Sequence, residues 1–206
     1  MEVFENENEQ VDAVKRFFAE NGKALIVGVV LGIGALVGWR YWSNQQVENA
    51  GAASLSYQTL SSEIQADKPQ TLEALQKFAA DNNNIYGSLA SLELAQQYAD
   101  KNELDKAATQ LESGLSNTKD VNLQALIDLR LARIQIQQKQ SDAALKTLDN
   151  IKGESWAALV ADLRGEALLS KGDKQGARDA WSQGLLTQSS PALIEMLQIK
   201  INNLSS

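Results

Sequence analysis

A chain of 206 residues is long enough for one domain or two small ones, and with 44% hydrophobic and 22% charged residues it is too apolar to be disordered. Its 26 acidic and 19 basic residues give a net charge of −7, which argues against a nucleic-acid partner, whose phosphates require clustered Lys and Arg. Cys and His are both absent, so thiol nucleophiles, thiolate metal sites and imidazole bases or ligands are excluded, and only carboxylates, Lys, Ser or Tyr remain for any catalysis.

The chain opens with five acidic residues among its first twelve, which reads as a solvated terminus. Val11, Val14, Phe17 and Phe18 then recur at helical spacing, as in a short interfacial helix or a lead-in to a membrane span. Between Lys23 and Arg40 lie sixteen uncharged residues, nearly all Val, Ile, Leu, Gly or Ala. Carried on to Trp42, the run would form a helix roughly 28 Å long, which matches the hydrocarbon core of a bilayer. Trp39, Tyr41 and Trp42 fall at one interface, and Lys23 and Arg40 bracket the span as snorkelling charges. A cleaved signal peptide is the weaker alternative. Its candidate site, Ala50-Gly51-Ala52, lies well beyond the apolar run, with Arg40, two Trp and Glu48 near or between them.

Lys15, Arg16 and Lys23 precede the span, whereas Arg40 is the only basic residue after it before Lys68. The positive-inside bias places residues 1–22 in the cytoplasm and residues 43–206 across the membrane, which in a bacterium is the periplasm. Within the span, Gly28/Gly32 and Gly34/Gly38 form two small-xxx-small pairs that permit close approach of another helix, although glycine is common in membrane helices generally.

From Ser43 onward apolar residues recur at intervals of three and four, with no strand-like alternation. Ala53, Tyr57, Leu60 and Ile64 form one stripe, Leu89, Leu92, Ala95 and Ala99 a second, and Leu104, Ala107, Ala108, Leu111 and Leu115 a third. Breaks are expected at Asp67-Lys68-Pro69, residues 81–84, Lys101-Asn102, residues 117–120, residues 139–141, Lys152-Gly153 and residues 171–173. Pro69 and Pro191 suit the first position of a helix.

An internal period emerges from these helices. Ala107, Ala144 and Ala177 lie 37 and 33 residues apart, and four residues after each comes a large apolar residue, Leu111, Leu148 or Trp181. Twelve residues before each alanine is another small residue: Ala95, Ala132 or Gly165. This pattern resembles the tetratricopeptide repeat, in which small residues let the two helices of a hairpin approach closely. Tyr98 matches the repeat's aromatic position and Gln135 and Leu168 do not. Ala74 and Phe78 suggest a worn hairpin in front, and residues 191–204 a terminal capping helix. The fold expected is all-α, a single N-terminal transmembrane helix followed by a tetratricopeptide-like helical-hairpin solenoid.

The helix expected over residues 122–139 carries more apolar residues than one core-facing stripe needs. Either it is central and buried on both sides, or it lines a partner groove. By the repeat alignment that groove would hold Leu92, Leu126, Leu129, Arg133 and Ile136, with Arg130 and Arg133 at its edge. Glu93, Gln97 and Asp128 read as solvated helix-face groups. No calcium loop, phosphate-binding glycine loop or nucleophile elbow occurs, so no cofactor, metal site or catalytic residue is expected.

The amino-terminal forty residues resemble a known family. Glu5-Asn6-Glu7-Asn8-Glu9-Gln10-Val11, the run from Ala13 through Phe17-Phe18 to Lys23, the glycine-studded span and Gly38-Trp39-Arg40-Tyr41-Trp42 look like the YfgM family of ancillary SecYEG translocon subunits. The resemblance implies an inner-membrane protein with a periplasmic repeat domain, associated with SecYEG and with the membrane-anchored periplasmic chaperone PpiD. It further implies that translocated client proteins are passed to periplasmic chaperones. A link to envelope-stress regulation, through a response-regulator contact on the cytoplasmic side, is also implied. The same anchor-plus-repeat plan would serve a scaffold of division or cell-wall machinery.

Overall fold

A computed structural model describes residues 3–65 and 69–204, with side chains described at positions 11, 12, 14–64 and 70–204. Among the described residues there is no strand. The helices are α1 (Val3–Gln65), α2 (Pro69–Asp81), α3 (Ile85–Asp100), α4 (Leu104–Ser116), α5 (Val121–Gln137), α6 (Ser141–Asn150), α7 (Ala157–Ser170), α8 (Lys174–Leu185) and α9 (Pro191–Asn203). A 3-10 turn, Glu154–Trp156, precedes α7. The chain divides into two compact units, Met1–Ala52 and Ala53–Ser206.

Helix α1 is unbroken from Val3 to Gln65, so the stripe of Val11, Val14, Phe17 and Phe18 leads into the apolar run without a break, as one of its two readings had it. No proline occurs over that stretch, and its glycines each weaken a helix by only about 1 kcal/mol without ending it.

In the second unit the expected turns are made by the residues that favour them. Asn84 caps α3, its side-chain oxygen accepting from the Tyr86 and Gly87 amides at 2.9 and 3.2 Å. Asp120 does the same for α5 and Asp173 for α8. Left-handed backbone occurs at Asn102, Lys139, Gly153 and Gly172, each at or beside an expected break. Pro191 begins α9 behind the Ser190 cap. The expected break at Asp67-Lys68-Pro69 falls largely on residues 66–68, outside the described residues, and α2 begins at Pro69.

Successive helices pack in antiparallel pairs: α3 on α4, α5 on α6, α7 on α8, with α9 closing against α8. The repeat markers are at the helix crossings. Ala107, Ala144 and Ala177 are completely buried, and the bulky residues that follow, Leu111, Leu148 and Trp181, are at most 2% exposed. The earlier small positions explain themselves by what a larger side chain would meet. A Cβ on Gly165 would stand 2.2 Å from the Trp181 indole nitrogen, which itself donates to the Asp162 carbonyl at 3.0 Å. Gly114 similarly faces Ser91 Cβ at 2.9 Å, while Ser88 Oγ donates to the Gly114 carbonyl at 2.8 Å. These hairpins are held by close backbone approach, which only small residues permit.

Three apolar clusters follow one another along this unit. The first joins Leu75, Leu94, Leu111, Ile127 and Leu131, edged by Tyr57, Leu60 and Ile64 from the last turns of α1. The second joins Leu129, Ala132, Ala144, Leu148 and Leu163. The third joins Ala177, Trp181 and Leu197. Helix α5 contributes to the first two, which is why it is apolar nearly all round. The front hairpin is read in a different register from the one expected. Ala74 is exposed, and the buried pair is Leu75 and Ala79. Phe78, the other residue of the expected hairpin, does pack against the first cluster.

Two groups taken for solvated are not. Glu93 is half-buried and accepts hydrogen bonds from Tyr57 Oη at 3.3 Å and Ser61 Oγ at 3.1 Å, tying the end of α1 to α3. Burial, together with the Glu93 charge, raises the Tyr57 pKa. Asp128 is 5% exposed, its Oδ1 has no hydrogen-bond partner, and burial pushes its pKa up to about 6.

Two outcomes follow. Gly165→Ala must displace the Trp181 ring, and we expect a loss of about 1–3 kcal/mol, seen as a lowered Tm in thermal denaturation. For Asp128 the folded-state pKa of about 6 exceeds the ordinary 3.8, so the folded chain retains a proton that the unfolded chain releases. Stability should therefore fall as pH rises from about 4 to 6, by on the order of 1–3 kcal/mol, and Asp128→Asn should abolish that component of a denaturation series across pH.

Candidate functional site

Two features bear on the expected contacts with other molecules: the apolar stretch of α1 and a cleft between α3 and α5. Every Val, Leu and Ile from Ile26 to Val37 is more than half exposed. Apolar surface in water costs about 25 cal/mol per Å², so a continuous helix surface of this kind demands a cover. This is the one helix among the described residues long and apolar enough to cross a membrane. No Asp, Glu, Lys or Arg interrupts it between Lys23 and Arg40, both of which are exposed.

The residues expected at its ends and faces are placed as follows. Trp39, Tyr41 and Trp42 are exposed, and the two indoles lie 5.5 Å apart between ring centroids. Beyond the backbone of their own helix and their chain neighbours, Gly28, Gly32, Gly34 and Gly38 have no atom within 4 Å of where a Cβ would be, so their surfaces are open. At 100° per residue, the Gly28/Gly32 pair and the Gly34/Gly38 pair look out about 120° apart. They form two separate small-residue faces rather than one seam.

The cleft, about 440 Å³, lies against the carboxy-terminal halves of α3 and α5. Its polar lining is Gln96, Asp100, Arg130, Arg133 and Gln137, and its buried lining includes Ala95 and Ile134. Arg130 and Arg133 are thus brought together on one exposed face of α5, one turn apart. The leucines expected beside them are elsewhere. Leu92 and Leu129, 5% and 7% exposed, belong to the first and second apolar clusters. Leu126 and Ile136 are half-buried and pack against those same clusters. Of the partly apolar groove expected, the structure keeps the arginine edge, with Gln96, Asp100 and Gln137 beside it, and removes the leucines and Ile136. The leucines of α5 are consumed by the two cores it separates.

Sequence reasoning also missed an ionic cluster at the far end. Lys200 of α9 donates to Asp162 and, at 2.6 Å, to Glu166, both on α7, and its ammonium lies 5.8 Å from the Trp181 ring centroid. Burial works against the Lys200 charge, but the hydrogen bonds to both carboxylates outweigh it and raise the pKa. Burial dominates at Asp162, 3% exposed, and keeps its pKa raised despite Lys200. Asp162 and Glu166 one turn apart were visible in the sequence, but their partner lies more than thirty residues away. Among the described residues no set of acidic side chains is grouped so as to hold a metal ion.

Comparison with known proteins bears on what these surfaces serve. The family model of the tetratricopeptide repeat-like domain matches residues 15–206. The chain is 67% identical, over the full length of both, to a protein of Escherichia coli strain K12 named ancillary SecYEG translocon subunit. It is 35% identical to a protein of that name from Haemophilus influenzae, covering 96% of this chain and 97% of the relative. A third of the same name, from Neisseria gonorrhoeae, is 28% identical over 96% of this chain and 97% of its own. No solved structure matches. These relatives are named as subunits, not as enzymes, and they span the long apolar helix as well as the repeats. The chain belongs to the family of ancillary SecYEG translocon subunits, built on a tetratricopeptide repeat-like domain.

Proposed function

We propose that this protein is a non-enzymatic, membrane-anchored adaptor of the Sec translocon. The observation that carries this is the end-to-end match to a SecYEG subunit, which includes the exposed apolar helix. Residues 23–42 cross the inner membrane, with Trp39, Tyr41 and Trp42 at its outer interface. Residues 1–22 stay in the cytoplasm and residues 43–206 are periplasmic, as supported by Lys15, Arg16 and Lys23 on one side against Arg40 alone on the other. The glycine faces, Gly28/Gly32 and Gly34/Gly38, supply lateral contact with channel or partner helices.

Anchoring turns a weak contact with an emerging chain into one of high effective concentration beside the channel exit. The periplasmic repeats there receive translocated clients and pass them to chaperones, with PpiD as the membrane-anchored partner. The cleft edged by Arg130 and Arg133 is the client or partner surface of this scheme. A response-regulator contact by the cytoplasmic tail would couple the subunit to envelope stress.

Native purification from mildly solubilised membranes tests the proposal, run on the full chain and on a Ser43–Ser206 version, with an enzymatic reporter fused at Ser206. We expect channel subunits with the full chain, weaker or no recovery with the truncation, and a reporter active only in the periplasm. Recovery of division or wall enzymes without channel components, or a reporter active only in the cytoplasm, would overturn it.

A further inference from the structure

On the face of α5 opposite the arginine-edged cleft lies a second cavity, of about 340 Å³, formed where the ends of α4 and α6 meet the first half of α5. Asp128 lines it. Asp128 is 95% removed from solvent by the 5% exposure given above, and its Oδ1 accepts no hydrogen bond. A buried carboxylate without a partner is rare, because desolvation of the charge is not compensated.

Three polar side chains share the cavity with it and none bonds to Asp128: Asn150 is exposed, and the other two are committed elsewhere. Lys152, which lines the same cavity, turns its ammonium to the Asp149 carbonyl oxygen at 2.6 Å. Gln124 donates its amide to the Thr118 carbonyl at 2.9 Å. The remaining lining is largely apolar, from Leu115, Val121 and Ile151, and Val121 is 72% exposed. A carboxylate awaiting a donor, reached past aliphatic walls, matches one side-chain chemistry: a long aliphatic stem ending in a cation.

We infer that this cavity is a docking site for a single lysine or arginine side chain of a partner polypeptide, whose charged tip pairs with Asp128 while its stem lies along Leu115, Val121 and Ile151. Lys152 is the one cation lining this cavity, and its ammonium is turned to the Asp149 carbonyl rather than to Asp128. The cleft on the other face carries Arg130 and Arg133 against the single carboxylate of Asp100, and this surplus of positive charge would repel the same group. The two faces of one helix would thus select oppositely charged segments, and the inference holds independently of which machine the protein serves.

The test is a titration of the full chain in detergent micelles at neutral pH. The probes are a short Gly/Ser peptide with one central lysine and the same peptide with norleucine in its place. We expect the lysine peptide to move the Asp128 side-chain carboxyl carbon resonance, assigned by its loss in Asp128→Asn. The lysine peptide should bind about ten-fold more tightly than the norleucine peptide, a preference that Asp128→Asn removes. An unmoved carboxyl resonance, equal binding of the two peptides, or an unchanged preference in Asp128→Asn overturns the inference. Should that variant fail to fold, the resonance and the peptide comparison in the unsubstituted chain decide the matter.

Discussion

The structure of the second unit depends on one steric condition: two helices of a hairpin can seal their shared apolar surface only where one of them carries almost no side chain. Ala107 against the first pair, Ala144 against the second, and Gly165 beneath the Trp181 indole meet that condition in turn. Close approach there brings Leu111, Leu148 and Trp181 into the next layer, so each hairpin completes the core of its neighbour. Helix α5 shows the cost of such an arrangement in composition. It serves one core with Ile127 and Leu131 and another with Leu129 and Ala132, leaving only two narrow polar faces for contact with anything else.

Those two faces carry opposite charge because burial on the remaining sides crowds every polar group into them. Arg130 and Arg133 are on the open side and stay solvated. Asp128 is squeezed between the helix ends on the other side and loses its water without gaining a partner. A similar economy operates at the far end. There a buried carboxylate, Asp162, is answered by the ammonium of Lys200, and α9 is fixed over the third core by Leu197 and that charge together. Removing a single partner of such a group strands the other as an uncompensated charge, so breaking it costs more than the intact pair contributes.

Much of this was written in the residue pattern. Three alanines at repeat spacing, each with a small residue twelve positions earlier and a bulky one four later, define hairpins whose backbones must touch. The turns follow from Asn84, Asp120, Gly153, Gly172 and Ser190, whose side chains or freedom at positive φ suit the ends of helices. Other features were illegible because they depend on distant neighbours. Nothing local distinguishes the buried Asp128 from a solvated one, or Leu129 in a core from Leu129 in a groove. In the front hairpin Ala74 faces solvent while Leu75 and Ala79 are buried, and the unbroken α1 hides the passage from one unit to the next because no helix-ending residue marks it.

The four tryptophans happen to sample each environment the chain offers. Trp39 and Trp42 lie on the apolar helix, Trp156 is half-buried at the entrance to α7, and Trp181 is sealed in the last core. Indole emission shifts with local polarity, so the chain carries its own optical record of the state of its two ends. Loosening of α9 would first wet Trp181, whose ring lies against Gly165 and 5.8 Å from the Lys200 ammonium. Spectral change at the red edge would then report fraying of the last helix before any repeat unfolds, with no label added to the protein.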